Sequence, residues 1–453
     1  MSVFRTSSSQ LSPTGRSDSG YDRLGGLSPR EAISTGAVWV YRRLYIKRVQ
    51  TDMNYESDWF DISEYVLRWG IVKKSFGDSI LFGEYVIDNI TINVDNSTQK
   101  FTKELGTDSL FNGFKTRYKT KFKVEVGFYD SDFYENFANA WYFIMLTEPS
   151  NSDSNIVELD LTSTLGSLKL YTAEGIDTST KQTDLWVDAI IKKEVNGARL
   201  FDRIFEGDTD SDRYKITAGT ITVDGSAVED GATCWDELVK YSKYEGYFPY
   251  VDIFGHFIWA DRSVTSTDIK WYFNGAGSGN SNETGVKIVS LDEEVDGITD
   301  SYQYISIQYQ SDPLYVSSKD SWTPGDGSIP DIYGEKSYSF EALELTQAQA
   351  QNVADNLLSI LKTPKKKWYQ TTCFIPHLEL KDRVMLNYSG ELTNSNAFTL
   401  DSSKLSPTGR DDAGYDQLSG YQGAINIQNQ ECFIISLEID LDNFLCKFEL
   451  KEV

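Results

Sequence analysis

Apolar and polar residues alternate along much of this chain at a period of two, the mark of half-buried antiparallel strands. In VWVYRRLYIKRV, Val38, Val40, Leu44 and Ile46 fall on one face. KFKVEVGF places Phe122, Val124, Val126 and Phe128 together. YVIDNITINVDNS groups Val86, Ile90, Ile92 and Val94 and ends in turn residues, and IVELDL groups Val157, Leu159 and Leu161. The pattern predicts one β domain over residues 37–165.

The period changes in residues 166–290. Residues 183–195 predict a short helix with Trp186, Ile190 and Ile191 near one face. TCWDELVKYSKYEG predicts a second, with Thr233 as its cap, Trp235, Leu238, Val239 and Ser242 at helical spacing, and Gly246 as its stop. YFPYVDIFGHFIWADR then reads as a hairpin turning near Phe254 and Gly255.

Strands resume over residues 291–453. Ile305, Ile307 and Tyr309 share a face. One helix interrupts, with Thr346 and Gln349 as a capping box, Val353, Leu357, Ile360 and Leu361 as its buried stripe, and Pro364 beyond its end. At the end, Phe433, Ile435, Leu437, Ile439 and Leu441 alternate, Asp442 and Asn443 turn, and Phe444, Cys446, Phe448 and Leu450 return. Residues 389–430 form a polar loop inserted in this region, and residues 1–36 an extended Ser-, Gly- and Arg-rich arm or a disordered tail. The expected fold class is therefore mainly β with a few helices, two β domains flanking a mixed α+β module.

Composition narrows the function. The 453 residues include 68 Asp and Glu against 43 Lys and Arg, a formal charge of −25. Gripping phosphates needs cations in excess, so a nucleic-acid-binding role is not expected. Cys234, Cys373, Cys432 and Cys446 show no CxxC spacing, and buried free thiols in a reducing compartment are expected. There is no apolar signal core at the N-terminus and no run near the roughly 20 apolar residues of a membrane span, so a soluble protein is expected.

Catalytic candidates are few. His256, just past the hairpin turn, and His377, after Pro376, sit in no nucleophile motif. Asp208, Asp210 and Asp212 have the alternation of a calcium loop but lack its glycine and distal Glu, so a solvated acidic loop is the stronger reading. The Gly-rich residues 275–285 carry no Lys and open no helix, unlike a phosphate cradle. No enzyme activity, cofactor or metal is expected. A carboxylate pair for glycoside cleavage stays open among so many acids.

Several stretches in fixed order resemble the phage tail baseplate hub, or tail-tip hub, family. DISEYVLRWGIVKKS leading into DNITINVDNSTQKF resembles the opening hub barrel. WDELVKYSKYEGYFPYVDIFGHFIWADR resembles the helix-then-hairpin module. AQNVADNLLSILKTPKKKWYQTTCFIPHLELKDRVMLNY resembles the entry to the second barrel, and ECFIISLEIDLDNFLCKFELKEV its closing strands. The resemblance spans residues 37–453 without 389–430. It implies a structural virion protein at the distal end of the tail, made in the host cytoplasm. It implies a homotrimer with two tail-tube-like barrels per subunit, at 37–165 and 291–453. Such a hub joins a sixfold tail tube or distal-tail ring to a threefold tip spike or fibre, and DNA passes through its lumen without specific binding. The rival readings are a receptor- or glycan-binding tail adhesin, a glycan depolymerase, and a hexameric distal tail ring.

One motif lies outside that resemblance. LSPTGRSDSGYDRLGG at 11–26 and LSPTGRDDAGYDQLSG at 405–420 share 12 of 16 positions without gaps. Pro13/Pro407 beside a glycine favours a turn, Arg16/Arg410 suits a carboxylate, and Tyr21/Tyr415, Leu11/Leu405 and Leu24/Leu418 are apolar anchors. The chemistry suits docking to a partner more than catalysis, and a loop copied by recombination is the alternative.

Overall fold

The computed structural model describes residues 39–50, 54–76, 89–102, 109–114, 116–129, 135–147, 154–173, 179–195, 198–199, 204–207, 209, 213–224, 231–261, 269–274, 288–295, 301–310, 314–326, 328–391 and 424–453. In chain order the first strands are β1 (Trp39–Val49), β2 (Phe60–Asp61), β3 (Val66–Arg68), β4 (Ile71–Ser75), β5 (Asn89–Asp95), β6 (Thr116–Tyr129), β7 (Glu135–Ile144) and β8 (Ile156–Ser163). Next come β9 (Lys181–Gln182), α1 (Thr183–Ile191), β10 (Glu194–Val195), β11 (Ala198–Arg199), β12 (Tyr214–Ile216), β13 (Thr222–Val223), α2 (Cys234–Glu245), β14 (Tyr247–Val251) and β15 (Phe257–Asp261). They are followed by β16 (Trp271–Asn274), β17 (Ile288–Val295), β18 (Tyr304–Tyr309), β19 (Leu314–Lys319), α3 (Ile329–Tyr333), β20 (Ser337–Glu341) and α4 (Gln347–Leu361). The last are β21 (Lys367–Cys373), β22 (Arg383–Glu391), β23 (Ala424–Asp440) and β24 (Leu445–Glu452). The fold is mainly β with minor α, as expected, and its sheets curl into half-barrels.

Contacts divide the chain into two compact units, each discontinuous. One holds Met1–Ser263, Ser301–Thr363 and Asp440–Asp442, the other Val264–Asp300, Pro364–Ile439 and Asn443–Val453. Residues 301–363 thus group with the N-terminal unit.

The first unit is built on an antiparallel sheet in the order β2-β1-β6-β7-β8-β5-β3. Its inner face carries Leu44, Ile46, Ile90, Ile92, Val94, Phe122, Val124, Val126, Phe128, Val157, Leu159 and Leu161, all buried. The alternation predicted for β5 and β8 is therefore observed, whereas β6 keeps its apolar residues on one face but is buried on both. β1 departs from it: Val40 is half-buried and Tyr41 is buried, and Val49 is buried on the other parity where the pairing with β6 slips between Lys47 and Val49. Val38 and Val86 lie outside the described residues. After β5, Asn96 closes the turn, accepting from Phe101 N at 2.8 Å and donating to Thr102 Oγ1 and Ser154 O at 3.0 Å each.

The opposite face of β6 and β7 is also covered. Phe137, Ala140 and Tyr142 of β7 pack with Ile253 and Phe254 from the β14–β15 hairpin. This second layer explains why Lys121 and Glu125 are buried on the face of β6 opposite Phe122, Val124 and Val126. The hairpin turns at Gly255, φ +85°, where Asp252 accepts from Phe254 N and His256 N at 2.9 Å each. His256 Nδ1 lies 3.2 Å from the same carboxylate, so this histidine shapes the turn.

Also in the first unit, α4 packs on β18 and β19 in the three-stranded sheet β19-β18-β20. Its buried stripe is Ala350, Val353, Ala354, Leu357, Leu358 and Leu361. Ile360, expected inside, is 57% exposed, and Leu358 takes its place because the sheet meets the Ala350–Ala354 side. Val239 of α2 is half-buried, and Tyr241 and Tyr244 fill that face instead.

The second unit is a sheet along β16-β22-β23-β24-β21-β17. β22 and β23 stay paired out to Glu391 and Ala424, so the polar insertion expected at 389–430 is flanked by longer strands than anticipated. In the closing hairpin Phe433 and Phe444 are half-buried while both Ile434 and Ile435 are buried, so the strand changes face between those two. The cysteines are free thiols. Cys234, Cys432 and Cys446 are buried as expected, whereas Cys373 is exposed at the end of β21.

Candidate functional site

A concave feature of the first unit lies beside α2. Thr233 caps this helix through a full capping box with Asp236, and Gly246 ends it with φ +71°. Helical spacing then stacks Glu237, Lys240, Tyr241 and Tyr244 on one face. Lys240 Nζ lies 2.7 Å from Glu237 Oε2 and 3.3 Å from Glu344 Oε1, and Tyr244 OH donates to Glu344 Oε1 at 2.6 Å. Glu237 is 2% exposed. Burial, reinforced by Glu237, pushes the Tyr241 hydroxyl well up, and burial with Glu344 does the same for Tyr244. Both phenols stay protonated across the physiological range.

A groove of about 850 Å³ opens over this network. Its walls include Lys169, Lys240 and Lys243, with Asp236, Phe340 and Glu341. Lys240 bonds both buried carboxylates and ties them into one ion cluster. Among the described residues there is no cluster of metal-ligating side chains.

A second charged node is largely buried. Glu206 Oε1 lies 2.9 Å from Lys121 Nζ and Glu206 Oε2 lies 2.9 Å from Lys47 Nζ. Burial alone would raise the Glu206 carboxyl, but two ammonium groups outweigh it and hold the group at about 2. Lys121, 3% exposed at its side chain and with a single carboxylate beside it, is pushed below the ordinary lysine value by burial. The node ties β1 and β6 to the segment leading to Gly207 and is a structural clamp.

Of the candidates from sequence, Leu11, Pro13, Arg16, Tyr21, Leu24, Leu405, Pro407, Arg410, Tyr415 and Leu418 lie outside the described residues. So do Asp208, Asp210, Asp212 and the Gly-rich 275–285 segment. His377 is buried with its ring edge-on to Trp271, 5.0 Å between centroids. The groove beside α2 was missed. The available signal was Glu237, an acid set in the apolar stripe of its helix. Glu344 carried none, since only tertiary folding brings it to α2. No helix among the described residues is long and apolar enough to cross a membrane.

The sequence matches no family model and no curated protein. The fold is similar to the tail protein from Neisseria meningitidis MC58, at 11% identity and TM-score 0.48, over 91% of this chain and 96% of that one. It is similar to the 43 kDa tail protein of prophage MuSo2 from Shewanella oneidensis, at 12% identity and TM-score 0.43, over 90% and 98% of the two chains. It is also similar to prophage tail protein gp18 from Listeria monocytogenes EGD-e, at 8% identity and TM-score 0.46, over 90% and 94%.

Proposed function

We propose that this chain is a structural phage tail protein, the trimeric hub of a baseplate or tail tip. The observation that carries the reading is the order of elements. The four segments that resemble hub sequences fold as a β5 strand closed by the Asn96 turn, a capped α2 followed by the β14–β15 hairpin, a capped α4 followed by β21, and a closing β23–β24 hairpin. Each unit has its own large sheet. In a trimer, two such sheets per subunit match a sixfold tube or distal-tail ring above and a threefold spike or fibre below. The repeated 11–26 and 405–420 arms attach this hub to ring neighbours. Excess carboxylates at the lumen let DNA leave without adhering.

A symmetry-relaxed cryo-EM reconstruction of the tail end tests the proposal. Three copies stacked on a six-membered ring are expected. Six copies, or a place on peripheral fibres, would overturn it.

A further inference from the structure

Three Asn-Gly pairs occur in the sequence, Asn112–Gly113, Asn196–Gly197 and Asn274–Gly275. A glycine after asparagine leaves the backbone nitrogen between them unshielded, because it carries no Cβ. Asn196 and Gly197 lie outside the described residues. Asn112 and Asn274 both follow a phenylalanine, so local sequence hardly separates them. The fold treats these two in opposite ways.

Asn112 is exposed, in a turn whose preceding residues are pinned. Leu110 N donates to Lys100 O at 2.8 Å, and Arg48 Nη1 donates to Leu110 O at 2.6 Å. Phe114 N then donates to Phe111 O at 3.2 Å and closes a β-turn. Gly113 is its third residue, with the positive φ, +81°, that a type II turn requires there. The peptide unit joining Asn112 to Gly113 is the centre of this turn. Among the described residues neither its C=O nor its N–H has a hydrogen-bond partner. Nothing lies within 4 Å of where a Cβ would stand on Gly113. The nitrogen is therefore open to the neighbouring side chain, and the peptide plane is free to turn toward it. Asn274 is 8% exposed in β16, and its Oδ1 accepts from Asn387 Nδ2 at 3.1 Å. Its side chain is committed, and its backbone is held by the pairing with β22.

We propose that Asn112–Gly113 is a site of spontaneous self-modification, where the exposed asparagine converts to aspartate and isoaspartate well ahead of Asn274. Asparagine is among the chemically labile side chains. The Gly113 nitrogen gives its proton to hydroxide and attacks Asn112 Cγ. The new C–N bond forms, the Cγ–Nδ2 bond breaks, and Nδ2 takes a proton from water and leaves as ammonia. The product is a cyclic succinimide. Water then opens either of its carbonyls. One opening gives an aspartyl link, the other an isoaspartyl link with an extra methylene in the main chain. Both add a negative charge to the turn. The reaction needs no partner and stands or falls separately from the trimeric hub.

The test is incubation of the full-length chain in mildly alkaline buffer, followed by peptide mapping with mass spectrometry and chromatographic separation of the two acid isomers. The Asn112 peptide is expected to gain both isomers about tenfold faster or more than the Asn274 peptide, which must open locally before it reacts. In urea the two rates should converge, because the fold alone separates them. Asn112→Gln should leave that peptide unchanged over the same period, since the longer side chain closes a larger and less favoured ring. Equal rates in the folded chain, a gap that persists in urea, an Asn112 peptide that gains no isoaspartate, or acid formation at that position in Asn112→Gln would overturn the site.

Discussion

Lys121 Nζ lies 2.9 Å from Glu206 Oε1 across 85 positions of sequence, with the lysine side chain only 3% exposed. Glu206→Gln leaves Lys121 buried without its counter-charge. Such a loss typically costs about 3–5 kcal/mol. A urea titration should show a lower midpoint with an unchanged slope, and an unchanged midpoint would place the clamp outside the stability of the unit.

The same carboxylate sets an acid limit. Glu206 sits at about 2 when folded, against an ordinary value of 4.5. Its folded value is the lower one, so its contribution is complete above pH 4.5 and is lost as pH falls through about 2. The shift corresponds to ~3 kcal/mol, and the unfavourable burial of Lys121 offsets part of it. Urea midpoints measured between pH 5 and 2 should fall steeply for the natural chain and less steeply for Glu206→Gln.

Tyr244→Phe removes the hydroxyl that donates to Glu344 at 2.6 Å. A hydrogen bond to a charged group contributes about 1.5–3 kcal/mol. The loss should appear in chemical denaturation. An unaltered stability would mean that Lys240 alone satisfies Glu344.

Gly70→Ala meets two obstacles. Its φ is +77°, and an added Cβ would lie 2.4 Å from Thr91 O. The expected destabilisation exceeds the roughly 1 kcal/mol of a strain-free Gly-to-Ala exchange and acts in the opposite direction. Asp442→Ala, which takes the carboxylate from Trp69 N at 3.0 Å and Gly70 N at 3.1 Å, should destabilise the same turn. Thermal unfolding of both variants checks this.

Deletion of residues 402–421 removes the second repeated arm, and ring attachment should weaken in assembled tails. Tails of normal composition and stability from the deletion would leave the repeat without a docking role.

The sequence made strands legible wherever one face meets solvent. β8 alternates exposed and buried along nearly its whole length, as IVELDL implies. Capping chemistry was equally local: Thr346 and Gln349 sit where their spacing put them. Legibility failed where tertiary packing sets the phase. The slip between Lys47 and Val49 and the paired burial of Ile434 and Ile435 follow from neighbouring strands. The choice of Leu358 over Ile360 depends on which side of α4 the sheet approaches. The groove was invisible for the same reason, since its floor joins Glu237 to a residue 107 positions away, Glu344.

The first unit draws Asp440–Asp442 from far beyond Met1–Ser263. A ribosome adding about 5–20 residues per second needs roughly ten to forty seconds to travel from Ser263 to Asp442. During that interval the amides of Trp69 and Gly70 await their acceptor. The nascent chain therefore spends its synthesis with this turn incomplete. Premature termination anywhere before Asp442 would release a product lacking the acceptor, which links quality control of the first unit to translation through a segment far from most of its residues.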